Sequence, residues 1–295
     1  MTPSALLTLA LIACPPSPPD DPPVHPFDRV AVVGASVSDG FLLPLEVDAM
    51  VTLSDVFVAA STREMAPPFR RSSALFFRDP VGYGRRYTEA ALRHDPTLLV
   101  ALDYLFWFGY GFAAEEEDRL RRLERGLRSL EAFDCPILVG TFPDVRIAAE
   151  EGVGIHDAPM IAPWQVPEPA TLIRLNRRLR SWANERPNVH VVPMAEFLDR
   201  IRAGETISIR ESTWSGDELK ALLDRDLLHT TLDGTIALTL LALDTLATAD
   251  ERLGADAVRW DKAAVRTRVL EARRLERRQR GALEVEAGST DGGRR

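Results

Sequence analysis

The chain has 295 residues, 45% hydrophobic and 27% charged, with 36 basic against 44 acidic side chains and a formal net charge of −8. That is ordinary globular composition, long enough for one large core, and it excludes a fibrous or largely disordered chain. The acidic balance excludes the basic face of a nucleic-acid binder. The two cysteines, Cys14 and Cys135, form no Cys/His cluster with metal-ligand spacing, so no metal is expected.

Residues 6–13 are a short apolar run, too short to cross a bilayer as a helix. The run ends Leu11-Ile12-Ala13-Cys14 and is followed by Pro15-Pro16-Ser17-Pro18-Pro19, an order that resembles a bacterial lipoprotein signal with Cys14 as the lipidated residue. The reading is an exported protein, possible lipid anchor at Cys14 included. No Lys or Arg precedes the run, which leaves a plain leader on a cytoplasmic protein as the alternative. Residues 15–26 hold seven prolines and read as an extended linker. The division expected is a leader and linker over 1–26, a folded domain over 27–250, and a basic helix with a disordered tail over 251–295.

The first strand is Arg29-Val30-Ala31-Val32-Val33, mostly β-branched and buried, broken at Gly34. Residues 41–50 read as the start of a helix and 42–63 as mixed helix and loop. Residues 73–77 read as a short strand and 79–84, with Pro80, Gly82 and Gly84, as a turn-rich loop before a helix over 85–94. Buried strands are predicted over 97–102, 136–140 and 189–192. Helices are predicted over 115–133, where Leu120, Leu123, Leu127 and Leu130 recur at helical spacing, and over 170–185, 195–202, 216–223 and 231–246. Residues 153–169 carry four prolines and no period; a loop of that length is more often functional than inert. Residues 259–280 hold nine basic and three acidic residues and read as a solvated helix, with contact to an anionic lipid or polymer as the other reading. Cys135 reads as a small buried hydrophobe. Strands alternating with helices argue a parallel sheet covered on both faces.

Such sheets place their ligands outside the carboxyl ends of the strands, and Ser36 sits there, in Gly34-Ala35-Ser36-Val37-Ser38. A serine at a helix start is an N-cap or a nucleophile beside N–H groups that can hold an anion. Near the other end lies Asp226-Leu227-Leu228-His229. The pair is a turn cap with a packed ring, or a base with the carboxylate that orients it. Asp103, after the second buried strand, is a loop-capping carboxylate or a site acid. The aromatic run Tyr104–Tyr110, with Trp107, is core or an apolar wall for a substrate. Ser36 lies in Gly-x-Ser-x-Ser, not the Gly-x-Ser-x-Gly of a nucleophile elbow. The Gly34 turn also lacks two glycines of a dinucleotide fingerprint, and no Lys accompanies it to hold phosphate in a nucleotide-binding domain.

Three blocks, taken in order, resemble the SGNH (GDSL-like) hydrolase family: Gly34-Ala35-Ser36-Val37, Leu138-Val139-Gly140-Thr141-Phe142-Pro143-Asp144, and Asp226-Leu227-Leu228-His229-Thr230-Thr231-Leu232-Asp233-Gly234. The resemblance spans roughly residues 28–248 and implies a three-layer α/β/α sandwich around a flavodoxin-like parallel sheet of about five strands. It also implies a serine esterase or acylhydrolase without a cofactor, acting on a small-molecule or glycan ester. Ser36 would be nucleophile, His229 base and Asp226 its orienter, with the N–H groups of Ser36 and of Gly82 or Gly84 as oxyanion donors. Asp103, Tyr104 and Trp107 would touch the substrate. The chain departs from the family at Ala35, where an acid is usual, and after the middle strand, where an oxyanion-hole Asn is replaced by Asp103-Tyr104-Leu105. The alternative is an SGNH-like ligand-binding domain impaired by that loss.

Overall fold

The computed structural model describes residues 24–154 and 158–291. The apolar leader and Cys14 lie outside the described residues. Five strands form one sheet: β1 (Val30–Gly34), β2 (Phe69–Ser72), β3 (Leu98–Ala101), β4 (Ile137–Gly140) and β5 (Val189–Val192). Their order is β2-β1-β3-β4-β5 and every neighbouring pair is parallel. This is the doubly wound, flavodoxin-like order, in which the chain reverses its direction of travel between β1 and β3.

The helices are α1 (Ser36–Asp39), α2 (Leu43–Val47), α3 (Leu53–Ala60), α4 (Pro80–Leu92), α5 (Phe106–Gly109), α6 (Glu116–Leu130), α7 (Pro169–Asn184), α8 (Met194–Ala203), α9 (Asp217–Lys220), α10 (Leu232–Ala249) and α11 (Lys262–Asp291). Alternation along β1 sorts the core into two halves. Val30 and Val32 pack with Phe57 of α3, Leu243 of α10 and Val265 of α11. Ala31 and Val33 face the other way, toward Leu127 of α6 and Leu179 of α7. The result is a three-layer α/β/α sandwich. β3 and β4 are buried on both faces, which is why each reads as an unbroken apolar run. α10 is apolar enough by composition to cross a membrane, but it is mostly buried as a core helix of this sandwich.

The structure corrects the expected elements in several places. The second strand is residues 69–72 rather than 73–77. It is an edge strand with exposed Arg70 and Arg71, so it lacks the apolar signature, and the following residues 74–78 form a 3-10 turn capped by the Ser73 hydroxyl. The expected loop over 79–84 is the first turn of α4: Asp79 accepts from the Gly82 N–H (2.9 Å) and Pro80 occupies the first helical position. Residues 41–50 do not continue as one helix, because Asp48 adopts a left-handed conformation (φ 50°) and ends α2. A small antiparallel pair, β6 (Ile207–Ile209) and β7 (Ser212–Trp214), was not anticipated.

The chain beyond residue 250 is not a separate tail. Val258, Trp260, Val265 and Val269 are buried in the α3/α10 half of the core. The backbone between Ala60 and Thr62 pairs with that between Ala257 and Arg259. α11 runs on to Asp291, through residues expected to be disordered. Cys135 is partly buried and unpaired, and burial pushes its thiol up to about 11.

Candidate active site

β1 delivers Ser36 to the carboxyl edge of the sheet, and β3, its neighbour there, delivers Asp103. The two strand ends flank the switch point of the sheet, where a crevice opens. Asp103 is buried, at 4% exposure. Its Oδ1 accepts from the Ala35 N–H (3.1 Å) and the Ser38 hydroxyl (2.5 Å). Its Oδ2 accepts from the N–H groups of Val37 (2.8 Å) and Ser38 (3.1 Å). Burial pushes the carboxyl above its ordinary range, and these hydrogen bonds pull only part of the way back. Gly34 is required by this close approach: a Cβ there would lie 2.1 Å from Asp103 Oδ1 and 2.2 Å from Ser38 Oγ.

Asp103 therefore binds every N–H from Ala35 to Ser38 except that of Ser36. Ala35, not Ser36, is the N-cap residue of α1, and the first N–H groups of that turn are served by the distant Asp103 carboxylate. Among the described residues the Ser36 hydroxyl has no protein hydrogen-bond partner. The capping reading of Ser36 is thereby set aside, and its hydroxyl and its N–H both remain available.

The second part of the site is the loop between α9 and α10. Asp226 is fully buried and His229 is 5% exposed. Asp226 Oδ2 lies 2.6 Å from His229 Nδ1, while Oδ1 accepts from the N–H groups of Leu228 (3.0 Å) and His229 (2.9 Å). Burial alone would push this carboxyl up. The hydrogen bond and charge of His229, with the two N–H groups, outweigh it and hold the carboxyl below its usual range. The turn requires a left-handed Leu227 (φ 51°), a strained conformation for a branched side chain. It is held from outside by Leu227 N–H to Asp224 O (3.0 Å) and Asp224 N–H to His229 O (2.9 Å). The Phe41 ring packs on the imidazole at 5.1 Å.

Ser36 and His229 line one cavity of about 200 Å³, together with Phe41, Leu75, Trp107 and Gln165 among others. No hydrogen bond joins the serine hydroxyl to the imidazole. Ser36 also lines a second pocket of about 70 Å³. Trp107 and Leu228 line both.

The remaining expected site residues divide. Trp107 reaches the site. Tyr104 does not: it is fully buried and its hydroxyl pairs with Ser129 Oγ (2.6 Å) on α6. Gly82 spends its N–H on Asp79, and Gly84 is inside α4, packed so closely that a Cβ would meet Tyr104 Oη at 2.6 Å. Neither glycine belongs to an oxyanion hole, because the segment is helix and not turn. The contacts of Asp103 are those of a loop-holding carboxylate. The loop after β3 offers no Asn.

Sequence reasoning missed Gln165. It lies on the long loop between β4 and α7, in a 3-10 turn over Pro163–Gln165. Its Oε1 accepts from the Ala162 N–H (2.8 Å), which turns the amide nitrogen away from that bond. The loop is fastened by Arg119, a buried guanidinium on α6 that donates to the carbonyls of Gly109, Gly111, Trp164, Gln165 and Val166 and to Glu116. The only signal for Gln165 was the length of its loop.

No protein-family model and no curated protein matches the chain. Among solved structures, it is similar to a gut microbial diltiazem-metabolizing enzyme at 14% identity, covering 76% of this chain and 48% of that one, with a TM-score of 0.47. The chain thus spans about half the length of that enzyme. It is similar to TesA at 16% identity over 75% of this chain and 99% of that one, with a TM-score of 0.47. It is similar to the C-terminal catalytic domain of Streptococcus pneumoniae peptidoglycan O-acetyltransferase A, solved with a methylsulfonyl adduct, at 13% identity over 79% of this chain and 98% of that one, with a TM-score of 0.40.

Proposed function

We propose that the protein is a serine ester hydrolase of the SGNH type, with Ser36 as nucleophile, His229 as general base and Asp226 as its orienting carboxylate. The observation that carries this reading is that the imidazole of the Asp226–His229 pair lines one cavity with Ser36, whose hydroxyl has no protein hydrogen-bond partner among the described residues. Asp226 on Nδ1 fixes the tautomer that leaves Nε2 free to accept a proton. Catalytic hydrogen bonds are often loose in an empty site and tighten with substrate.

In acylation, Ser36 Oγ attacks the ester carbonyl carbon as its proton passes to His229 Nε2. The tetrahedral oxyanion collapses, the carbon–oxygen bond to the alcohol breaks, and the imidazolium returns its proton to the leaving oxygen. Water then attacks the acyl-serine with the same base, releasing the acid and restoring Ser36. The negative charge that develops on the carbonyl oxygen needs donors. The Ser36 N–H, passed over by Asp103, is one; the second is assigned to the side-chain amide of Gln165, which lines the same cavity, since the loop after β3 has no Asn. The reaction needs no metal or organic cofactor.

The test is hydrolysis of p-nitrophenyl esters with Ser36→Ala as control, together with labelling by an organophosphonate ester. Slow turnover abolished in Ser36→Ala, and a label on Ser36, support the reading. The missing Asn favours a second reading, a ligand-binding domain with impaired turnover. Folded protein that neither turns over any ester nor labels would decide for it.

A further inference from the structure

The region around α11 carries a charge that the rest of the chain does not. Residues 259–280 hold nine basic and three acidic side chains, a local charge of +6 in a chain whose net charge is −8, which leaves −14 for all the rest. The helix divides its charges between two faces. On the inward face Val265 and Val269 are buried in the α3/α10 half of the core, and the cations beside them are neutralised within the fold. Arg266 pairs with Asp233 (2.6 Å), Arg273 with Asp55 and Glu276, and Arg277 with Asp48 (3.1 Å).

The outward face is different. Arg268, Glu271, Arg274, Leu275 and Arg278 succeed one another at helical spacing, on one stripe, and all five are exposed. Among the described residues Arg268, Arg274 and Arg278 have no ion pair or hydrogen bond. Arg274 and Arg278, one turn apart with like charge, weaken the helix that carries them. Leu275 stands among these arginines at 57% exposure. The Arg277–Asp48 pair brings the end of α2 against the same helix, and Leu45 and Met50, to either side of Asp48 in the chain, are 81% and 57% exposed. Fixed positive charge with no partner in the fold attracts an anionic surface. Exposed leucine and methionine beside it add nothing to the binding of a hydrated polyanion. The two together suit the boundary of a bilayer, where arginine meets headgroup phosphate and an apolar side chain enters the hydrocarbon.

We propose that the outward face of α11 docks the protein on an anionic phospholipid surface, with Arg268, Arg274 and Arg278 on the headgroup phosphates and Leu275 entering between them. This docking is independent of the hydrolase reading and stands or falls without it.

The experiment is co-sedimentation of the full chain with vesicles of phosphatidylcholine alone, or of phosphatidylcholine and phosphatidylglycerol in equal parts. Cys14→Ser is used throughout, so that no lipid attached there contributes. The expected result is binding to the anionic vesicles only, weakened steeply as salt is raised toward about 1 M, where the Debye length falls to about 3 Å. A basic side chain near such a surface contributes about fivefold in affinity, so the triple variant Arg268→Gln/Arg274→Gln/Arg278→Gln should bind about a hundredfold more weakly. Its melting temperature should stay at the value of the parent chain, since none of the three arginines has a partner in the fold. Leu275→Gln should weaken vesicle binding several-fold and leave binding to inorganic polyphosphate, a soluble polyanion, unchanged. Vesicle binding that the triple variant retains comes from another part of the chain, such as the apolar leader, and overturns the proposal. Equal binding to both kinds of vesicle, or to neither, also overturns it. So does binding by the parent chain that ignores salt, a result that needs no variant to fold. Binding to polyphosphate without binding to the anionic vesicles assigns the face to a soluble polyanion and overturns the lipid surface.

Discussion

Asp103→Asn is the sharpest probe of how this site is held together. The carboxylate meets four donors in a buried position: three N–H groups and the Ser38 hydroxyl. An amide keeps the shape but has one acceptor oxygen. If that oxygen takes the place of Oδ2, Val37 and Ser38 keep their acceptor. The Ser38 hydroxyl can rotate to accept from the new NH2, and the Ala35 N–H is left facing a donor. An orphaned buried N–H costs about 1–3 kcal/mol, and a charge-assisted bond is worth about 1 kcal/mol more than a neutral one. Against this, the neutral amide escapes the burial penalty that pushes the Asp103 carboxyl up. The net expectation is a loss of about 1–3 kcal/mol, read in urea unfolding as a lower midpoint with an unchanged slope. Because the same turn carries Ser36, ester hydrolysis should fall at least tenfold, as expected when a nucleophile is displaced from its productive geometry. Ser38→Ala, which removes one bond, should cost only about 1 kcal/mol. An Asp103→Asn protein within about 0.5 kcal/mol of wild type and equally active would refute the claim that this carboxylate holds the nucleophile turn.

Ser36→Ala and His229→Ala should each abolish ester hydrolysis, and the double variant should be no worse than either, because the residues act as a unit; additive losses in a rate series would argue against a shared step. Gln165→Leu should lower kcat by about tenfold or more with little change in KM, since an oxyanion donor acts in the transition state; an unchanged kcat would remove Gln165 from the reaction. The Asp226 carboxyl is held below its usual range, so the unfolded chain binds its proton more readily than the native one. The stability it contributes is complete above the unfolded value of about 3.9 and is lost as pH falls through the lower folded value. Denaturation measured from pH 2.5 to 6, as an order-of-magnitude window around that value, should show a shallower acid limb for Asp226→Asn than for wild type. Gly84→Ala should destabilise by about 1–3 kcal/mol through overpacking against Tyr104 and Phe108. It should leave the ester kinetics of the folded fraction intact, whereas a selective loss of kcat would return this glycine to the oxyanion hole.

What the sequence determined by itself was the pattern that local physics writes into a chain. Doubly buried strands such as Leu98–Ala101 must be apolar throughout, and α6 must repeat its leucines at helical spacing, so the parallel sheet and its covering helices were legible. The Asp226–His229 pair was also legible, because three residues of one tight turn suffice to bring the two side chains together. What only the tertiary structure decided was everything that depends on elements distant in sequence. β2 is an edge strand half open to solvent, so its residues carry no burial pattern, and its position followed only from pairing with β1. Gly82 and Gly84 resembled loop residues until a cap at Asp79 and the packing of Tyr104 made them helix. Asp103 could be a cap or an acid until β3 was laid beside β1 and its carboxylate met the Ala35–Ser38 turn. Gln165 had no signal beyond the length of its loop, because its place in the cavity is set by Arg119, a guanidinium 46 residues earlier in the chain that gathers the carbonyls of its loop. Periodicity is a property of neighbours along the chain, whereas a site is assembled from strand ends and loops that only the closed sheet brings together.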